Sequence, residues 1–286
     1  MSTICVYPES VASAFEIGAK AGYDGIEVMV GVDPLSADVD YIRKMSDYHA
    51  IPVLSVHAPC LLMTQSTWGG PWEKLERSAE AALTLGADTV VVHPPFRWQI
   101  DYAKSFVSGI ADLEQRYPTV KFAVENMYPL RVIGALTSQL YAPHWDPTSY
   151  NYQHLTLDFS HCSTAGVQAI DYVRSWGSRL AHVHLTDGTG KASDEHLFPG
   201  EGDQRAWDVL DEILDSGFDG NIVVEVNTRK YSSTVARQQD LTRLAADIRA
   251  HVLGPEQGAK SAENRLNRQC ASRYSTCQDG QSGNRR

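Results

Sequence analysis

A chain of 286 residues with 43% hydrophobic and 21% charged residues carries enough apolar material for a large core, which excludes global disorder, a collagen-like chain and a small disulfide scaffold. It holds 25 Lys/Arg against 35 Asp/Glu, a net charge of −10, and residues 255–286 contain six of those bases (Lys260, Arg265, Arg268, Arg273, Arg285, Arg286) beside three acids, so the preceding residues are more acidic still. Binding to nucleic acid draws on Lys and Arg to neutralise phosphates, and nothing global here supplies that; only a local basic groove or bound divalent metals would offset the acidity.

No stretch of about eighteen consecutive apolar residues occurs, so no transmembrane helix and no membrane partner are expected. The opening Met-Ser-Thr-Ile-Cys-Val-Tyr-Pro lacks a basic segment followed by a long apolar one, and no secretory signal is read there. Five cysteines without a CxxC pair suit a reducing compartment, and the expected location is cytoplasmic.

Taken in chain order, short β-branched runs alternate with amphipathic stretches. Residues 4–7 read as a first strand, and 11–21 as a helix carrying Phe15 and Ile17 and stopped by Gly22. Strands follow at 25–30 and 52–57, then a helix at 72–85 ending before Gly86, then strands at 89–93, 121–125, 155–158 and 180–184. A helix at 206–214 spaces Trp207, Leu210, Ile213 and Leu214 on one face; a last strand covers 221–225, and a last helix, 233–252, carries Leu241, Leu244, Ala245 and Ile248. Eight β-then-α units over about 250 residues give an α/β fold, a single (β/α)8 TIM barrel over residues 1–254. The rival, an open doubly wound sheet, lacks a GxGxxG or GxxxxGK[ST] fingerprint after its first strand. The remainder, 255–286, is rich in Gly, Gln, Ser, Asn and Arg and reads as a polar, disordered or flexible tail whose Cys270 and Cys277 could oxidise.

In such a barrel the active-site residues come from the C-terminal ends of the strands and the loops after them. Those ends are Glu27, His57, His93, Glu125, Asp158 with His161 three residues on, His184 and Glu225; the loop after the seventh strand adds Asp194 and His196. Five of the ten histidines fall on this one rim. Any single one reads as a hydrogen-bonded structural residue. Together, ionisable groups ending buried apolar strands are costly unless paired or metal-bound, and divalent cations would relieve the repulsion among the carboxylates. Imidazoles and carboxylates without thiolates suit zinc, manganese, iron or cobalt.

The chain resembles the xylose isomerase-like TIM-barrel superfamily, which holds sugar isomerases and epimerases together with endonuclease IV (AP endonuclease family 2). The matching pieces are Val-His-Ala-Pro around His57, Val-Val-His-Pro around His93, Ala-Val-Glu-Asn around Glu125, Leu-Asp-Phe-Ser-His from Asp158 to His161, His-Val-His-Leu-Thr-Asp around His184, Asp194-Glu-His196, and Val-Val-Glu-Val around Glu225. The resemblance implies two ways of using the rim. Epimerase-type members hold one metal with a set that here is Glu125, Asp158, His184 and Glu225. Endonuclease IV holds three zinc ions with nine ligands, which by motif adds His57, His93, His161, Asp194 and His196; all nine are present. The Gly25-Ile-Glu27 strand end looks like the sugar isomerases, while the Gly-Ala-His-Val-Ser stretch and the DNA-inserting loops of endonuclease IV have no counterpart. Trp68 and Trp72 could roof a small pocket or stack on bases, and Trp72 reads as readily as a helix start packed on the barrel.

The favoured expectation is a divalent-metal-dependent isomerase or epimerase of a sugar, polyol or related small hydroxycarbonyl compound, acting by proton transfer through a metal-stabilised enediolate. Glu125 and Glu225 would be catalytic base and acid, and Glu27, His161 and His196 would bind substrate hydroxyls. The cofactor would be Zn, Mn or Co, one per chain and up to three. The alternative is a zinc-dependent phosphodiester hydrolase resembling endonuclease IV, acting on abasic-site DNA or a small phosphate ester. The expected partner is a small-molecule substrate, with homo-oligomerisation through exposed helices left open.

Overall fold

The computed structural model describes residues 1–253 apart from Gln65, Gly134 and Ala135; the tail expected at 255–286, with Cys270 and Cys277, lies outside the described residues. In chain order the elements are α1 (Val11–Ala21), β1 (Ile26–Met29), α2 (Val39–His49), β2 (Val53–His57), α3 (Pro71–Leu85), β3 (Thr89–Val92), α4 (Ile100–Arg116), β4 (Lys121–Glu125), β5 (Leu130–Ile133), β6 (Leu136–Ser138), β7 (His154–Asp158), α5 (Phe159–Ala165), α6 (Ala169–Trp176), β8 (Leu180–Leu185), α7 (Ala206–Asp215), β9 (Asn221–Val224) and α8 (Thr234–Leu253). Seven strands pair in parallel in the order β1-β2-β3-β4-β7-β8-β9, and β5 with β6 forms a separate antiparallel hairpin. This is the expected TIM-barrel fold, nearly closed, with helices outside a parallel ring.

The strand expected at 4–7 is not there. Thr3–Val6 is a turn of 3-10 helix, with Cys5 N–H donating to Ser2 O and Tyr7 N–H to Ile4 O. Cys5 and Val6 are buried as expected of a core strand, but a four-residue apolar run has no periodicity that separates strand from helical turn. The N-terminal segment bridges the seam of the barrel: Ser2 N–H donates to Val224 O of β9, Glu27 N–H of β1 donates to Met1 O, the Thr3 side chain accepts from Met29 N–H and that of Cys5 donates to Val224 O.

The strands read as near-continuous apolar runs because both of their faces are covered. Val90, Val92, Phe122, Val124, Leu155, Leu157, Val183 and Leu185 are all sealed from solvent. The helices supply the outer layer through one stripe each, such as Phe15 and Ile17 on α1, Leu75 and Ala79 on α3, Phe106 and Ile110 on α4, and Leu210 and Ile213 on α7. Trp72, at the start of α3, belongs to this layer: its ring meets Tyr102 edge-on at 4.7 Å and lies 6.4 Å from Phe106. Trp68 donates its indole N–H to Ala37 O, and neither tryptophan lines the central cavity.

Ser10 caps α1 and Asp38 caps α2, each accepting from a backbone N–H three residues on, and Gly22 ends α1 in the left-handed region at φ 83°. In the long excursion between β4 and β7, Met127 and Tyr141, with Leu140 and Trp145 against them, pack on Phe96 of the segment after β3 as a second small core, and Met127 and Tyr141 line the barrel mouth.

Candidate metal centre

The C-terminal ends of β2, β3, β4, β7, β8 and β9 open into a cavity of about 260 Å³ whose lining includes His57, His93, Glu125, His161, Asp194, His196 and Glu225. Asp158 and His184 lie just beneath, with no exposed surface. All nine rim residues that the resemblance pointed to are therefore gathered at one place. Three local devices put them there.

The first is a helix cap. Asp158 is the N-cap of α5, its Oδ1 accepting from the His161 N–H at 2.7 Å. The spacing Asp158-Phe-Ser-His161 thus sets both side chains over the same mouth, one at the cap and one at the third helical position. The second is Asn126, whose amide clamps two strand ends together: Nδ2 donates to Asp158 O and Oδ1 accepts from Asp158 N–H at 2.8 Å. The third holds the loop of residues 188–204 that carries Asp194 and His196. Buried Asp187 accepts from the backbone N–H groups of Gly188, Gly200 and Gln204, drawing the loop's ends together, while Ser160 Oγ donates to Asp194 Oδ1 at 2.6 Å and accepts from His196 N–H at 2.9 Å. Gly202 passes so close to Gly188 that a Cβ would lie 2.1 Å from its carbonyl oxygen. His196 itself is held at φ 48°, a conformation non-glycine residues seldom adopt and one often found at functional sites.

Within the ring the imidazoles are oriented. His57, His161 and His196 each place Nδ1 within 3.2, 2.8 and 2.7 Å of a backbone carbonyl, those of Ala58, Asn126 and Glu225. A carbonyl only accepts, so each Nδ1 carries the proton and each Nε2 faces inward. His57 Nε2 and His93 Nε2 stand 3.4 and 2.9 Å from Glu125 Oε2, and His161 Nε2 and His196 Nε2 stand 3.2 and 2.7 Å from Asp194 Oδ2. His184 presents Nδ1 to Glu125 Oε1 at 3.0 Å and Asp158 Oδ2 at 3.5 Å, and Nε2 to Glu225 Oε2 at 3.4 Å.

Charges follow from this layout. Burial, the largest influence on His161, lowers its basicity, but the carboxylates of Asp158 and Asp194 override it and push the imidazole up to about 10. Burial likewise opposes ionisation of Glu125, yet His184 and His93 hold its carboxyl well below the usual range. Glu225 is raised, chiefly by burial.

The ring fits a divalent cation. Glu125 Oε2, Asp158 Oδ2 and Glu225 Oε2 are buried acceptors with no hydrogen bond of proper geometry, and the inward imidazole nitrogens stand beside them. Three overlapping sets bring their ligand atoms within 4.8 Å of one another: His57, His93 and Glu125; Glu125, Asp158 and His184; and Asp158, His161 and His196. An oxygen and nitrogen donor set of this kind suits zinc, manganese or cobalt.

Glu27, expected to touch a substrate hydroxyl, does not line the cavity. It is fully buried under the ring, where Oε2 accepts from Ser55 Oγ and lies against His182 Nε2, both at 2.8 Å, and Oε1 stands 3.2 Å from His184 Nε2. His182 is the other inward histidine of β8 and completes a fourth cluster with Glu27 and His184. Reading the sequence also passes over Ser160, Asn126, Tyr7 and Arg229. Asn126 and Ser160 stand inside quoted motifs, but only folding shows what a short amide or hydroxyl touches.

The family model for xylose isomerase-like TIM barrels matches residues 15–250. An uncharacterized protein of Mycobacterium tuberculosis is 44% identical over 272 residues, 88% of this chain and 97% of that protein. Fructoselysine 3-epimerase of Shigella flexneri is 37% identical over 197 residues, 69% of this chain and 59% of the enzyme. Among solved structures, a D-tagatose 3-epimerase-like protein superposes with a TM-score of 0.61 at 22% identity, over 87% of this chain and 96% of that one, a likeness of fold.

Proposed function

Since the chain belongs to the xylose isomerase-like TIM-barrel family, we propose that it is a divalent-metal-dependent isomerase or epimerase of a sugar, polyol or related small hydroxycarbonyl compound. The observation that carries this reading is the placement of Glu125 and Glu225. They rise from β4 and β9, face different nitrogens of His184 and line one cavity. Their surroundings also set them apart, Glu125 toward the carboxylate and Glu225 toward the acid, the arrangement from which base and acid roles follow.

Glu125, Asp158, His184 and Glu225 would hold the cation. When bound, it supplies a Lewis acid that polarises adjacent carbonyl and hydroxyl oxygens. The carboxylate of Glu125 takes the proton from the carbon next to the carbonyl. Glu225 delivers a proton from the other side, to the same carbon for epimerisation or to its neighbour for isomerisation. His161 and His196 reach the substrate's hydroxyls, and the wall of Met127, Tyr128 and Tyr141 excludes water from the reacting carbons. The cysteines among the described residues, Cys5, Cys60 and Cys162, are free thiols, which supports the cytoplasmic setting proposed here. No helix among the described residues is long and apolar enough to cross a membrane.

The test is deuterium incorporation from D2O into a panel of ketoses and inosose-like compounds by protein loaded in turn with Mn, Zn and Co. Exchange at the carbon beside the carbonyl is expected for at least one compound; none across the panel, with metal bound, would sink the reading. A zinc-dependent phosphodiester hydrolase is the second reading, favoured by the three overlapping ligand sets, which suit more than one ion. A stable content near three zinc per chain together with cleavage of an abasic-site duplex would establish it instead.

A further inference from the structure

The cavity has a second pole. Its floor is lined by the metal-site groups, the carboxylates of Glu125, Asp194 and Glu225 interleaved with the imidazoles of His57, His93, His161 and His196, whereas its rim carries a single Lys or Arg side chain among the described residues, Arg229. Arg229 lies four residues past Glu225 on the segment leaving β9, and the backbone there is built rather than loose. Asn227 N–H donates to His196 O at 2.7 Å, Asn227 Oδ1 accepts from Arg229 N–H at 3.0 Å, and the intervening Thr228, buried, accepts from Arg237 Nε at 2.8 Å. The guanidinium lies over the ring of Tyr7, 4.7 Å from its centroid, and Tyr7 lines the same cavity.

No carboxylate among the described residues pairs with Arg229, although Arg116, Arg174, Arg205, Arg237 and Arg249 are each paired with one. Stacking on Tyr7 occupies one face of the guanidinium and leaves its N–H edge unspent, and that edge matches the paired oxygens of a carboxylate or phosphate. An anionic group at the end of the substrate away from the metal centre would find paired N–H donors at this point. We propose that the substrate carries a terminal oxyanion, a phosphate or a carboxylate, which Arg229 binds at the rim while the hydroxycarbonyl end lies on the floor. This rests on the isomerase or epimerase reading and adds the substrate's charge to it.

The test uses the full chain loaded with Mn²⁺ and titrated calorimetrically with D-fructose, D-fructose 6-phosphate and D-fructuronate. At least one charged ketose should bind tenfold or more tightly than D-fructose, with a preference that shrinks as salt rises, and the stronger of the two tells phosphate from carboxylate. Arg229→Gln should bring the charged and neutral ketoses within about threefold of each other, Arg229→Lys should keep part of the preference, and manganese content should be unchanged in both. Equal binding of all three ketoses by the wild type overturns the oxyanion assignment and leaves the ketose reading standing. A charged-ketose preference that survives Arg229→Gln places the oxyanion on the metal and also overturns it. No binding of any of the three overturns both.

Discussion

Residue by residue, the centre is a problem in where protons sit. His57, His161 and His196 spend their Nδ1 protons on backbone carbonyls, so it is their Nε2 atoms that face a cation. His184 faces Glu125 and Asp158 with Nδ1 and has Glu27 behind Nε2, an arrangement in which Glu27 orients the ring from below. Glu27→Gln should therefore weaken Zn²⁺ binding by about 10–100-fold, the usual cost of removing a carboxylate behind a metal-ligating imidazole. Competition against a chromophoric chelator measures it, and unchanged affinity in a folded variant would remove Glu27 from this role. Glu27 also marks the reach of sequence reading at this scale. The expected place of Glu27 was a strand end; it is instead the second residue of β1, which is why it faces the histidine pair below the mouth.

At the scale of elements, the seven paired strands and helices α1, α3, α7 and α8 were legible because their signals are local, whereas α2, α4, α5 and α6 were not individually placed. Apolar β-branched runs mark the strands, and Ser10, Gly22 and Gly86 bracket helices by known capping chemistry. The 3-10 turn at Thr3–Val6 and the β5–β6 hairpin were not legible: the first is too short to show a period, and the second is a short antiparallel pair inside a fold whose other strands are parallel. The 188–204 loop was readable only as the carrier of Asp194 and His196; its geometry depends on Ser160, far off in sequence, and on Asp187, whose hold on Gly200 and Gln204 only folding shows. Ser160→Ala removes the hydroxyl that bonds Asp194 and receives the N–H of His196. It should cost about 1–3 kcal/mol of unfolding free energy, since two polar groups lose a buried partner. Denaturant unfolding checks the first effect. Atomic emission on dialysed protein checks the second, a lower occupancy at the Asp158, His161 and His196 set; wild-type values for both would mean that the loop holds itself.

For the whole molecule, the acidity noted in the composition takes on a location. Some of the excess carboxylates are gathered in one buried ring, where protonated imidazoles balance them until a cation arrives. His161, pushed up to about 10 by Asp158 and Asp194, is protonated at pH 7. A metal that takes its inward nitrogen must displace that proton. Metal uptake at pH 7 should therefore release protons, and affinity should fall as pH is lowered, because more protons then compete. Calorimetric titration in two buffers of different ionisation enthalpy reads the proton number directly, and identical apparent heats in both would contradict it.

The Glu125, Asp158 and His184 set has a mechanical side as well. Its members end β4, β7 and β8, three strands that pair consecutively in the barrel wall. An ion held among them is a clip across three staves of the barrel, and those staves cannot part until it leaves. Bound metal would then slow unfolding more than its equilibrium affinity alone implies, and protease resistance of the loaded barrel would track how fast the ion escapes.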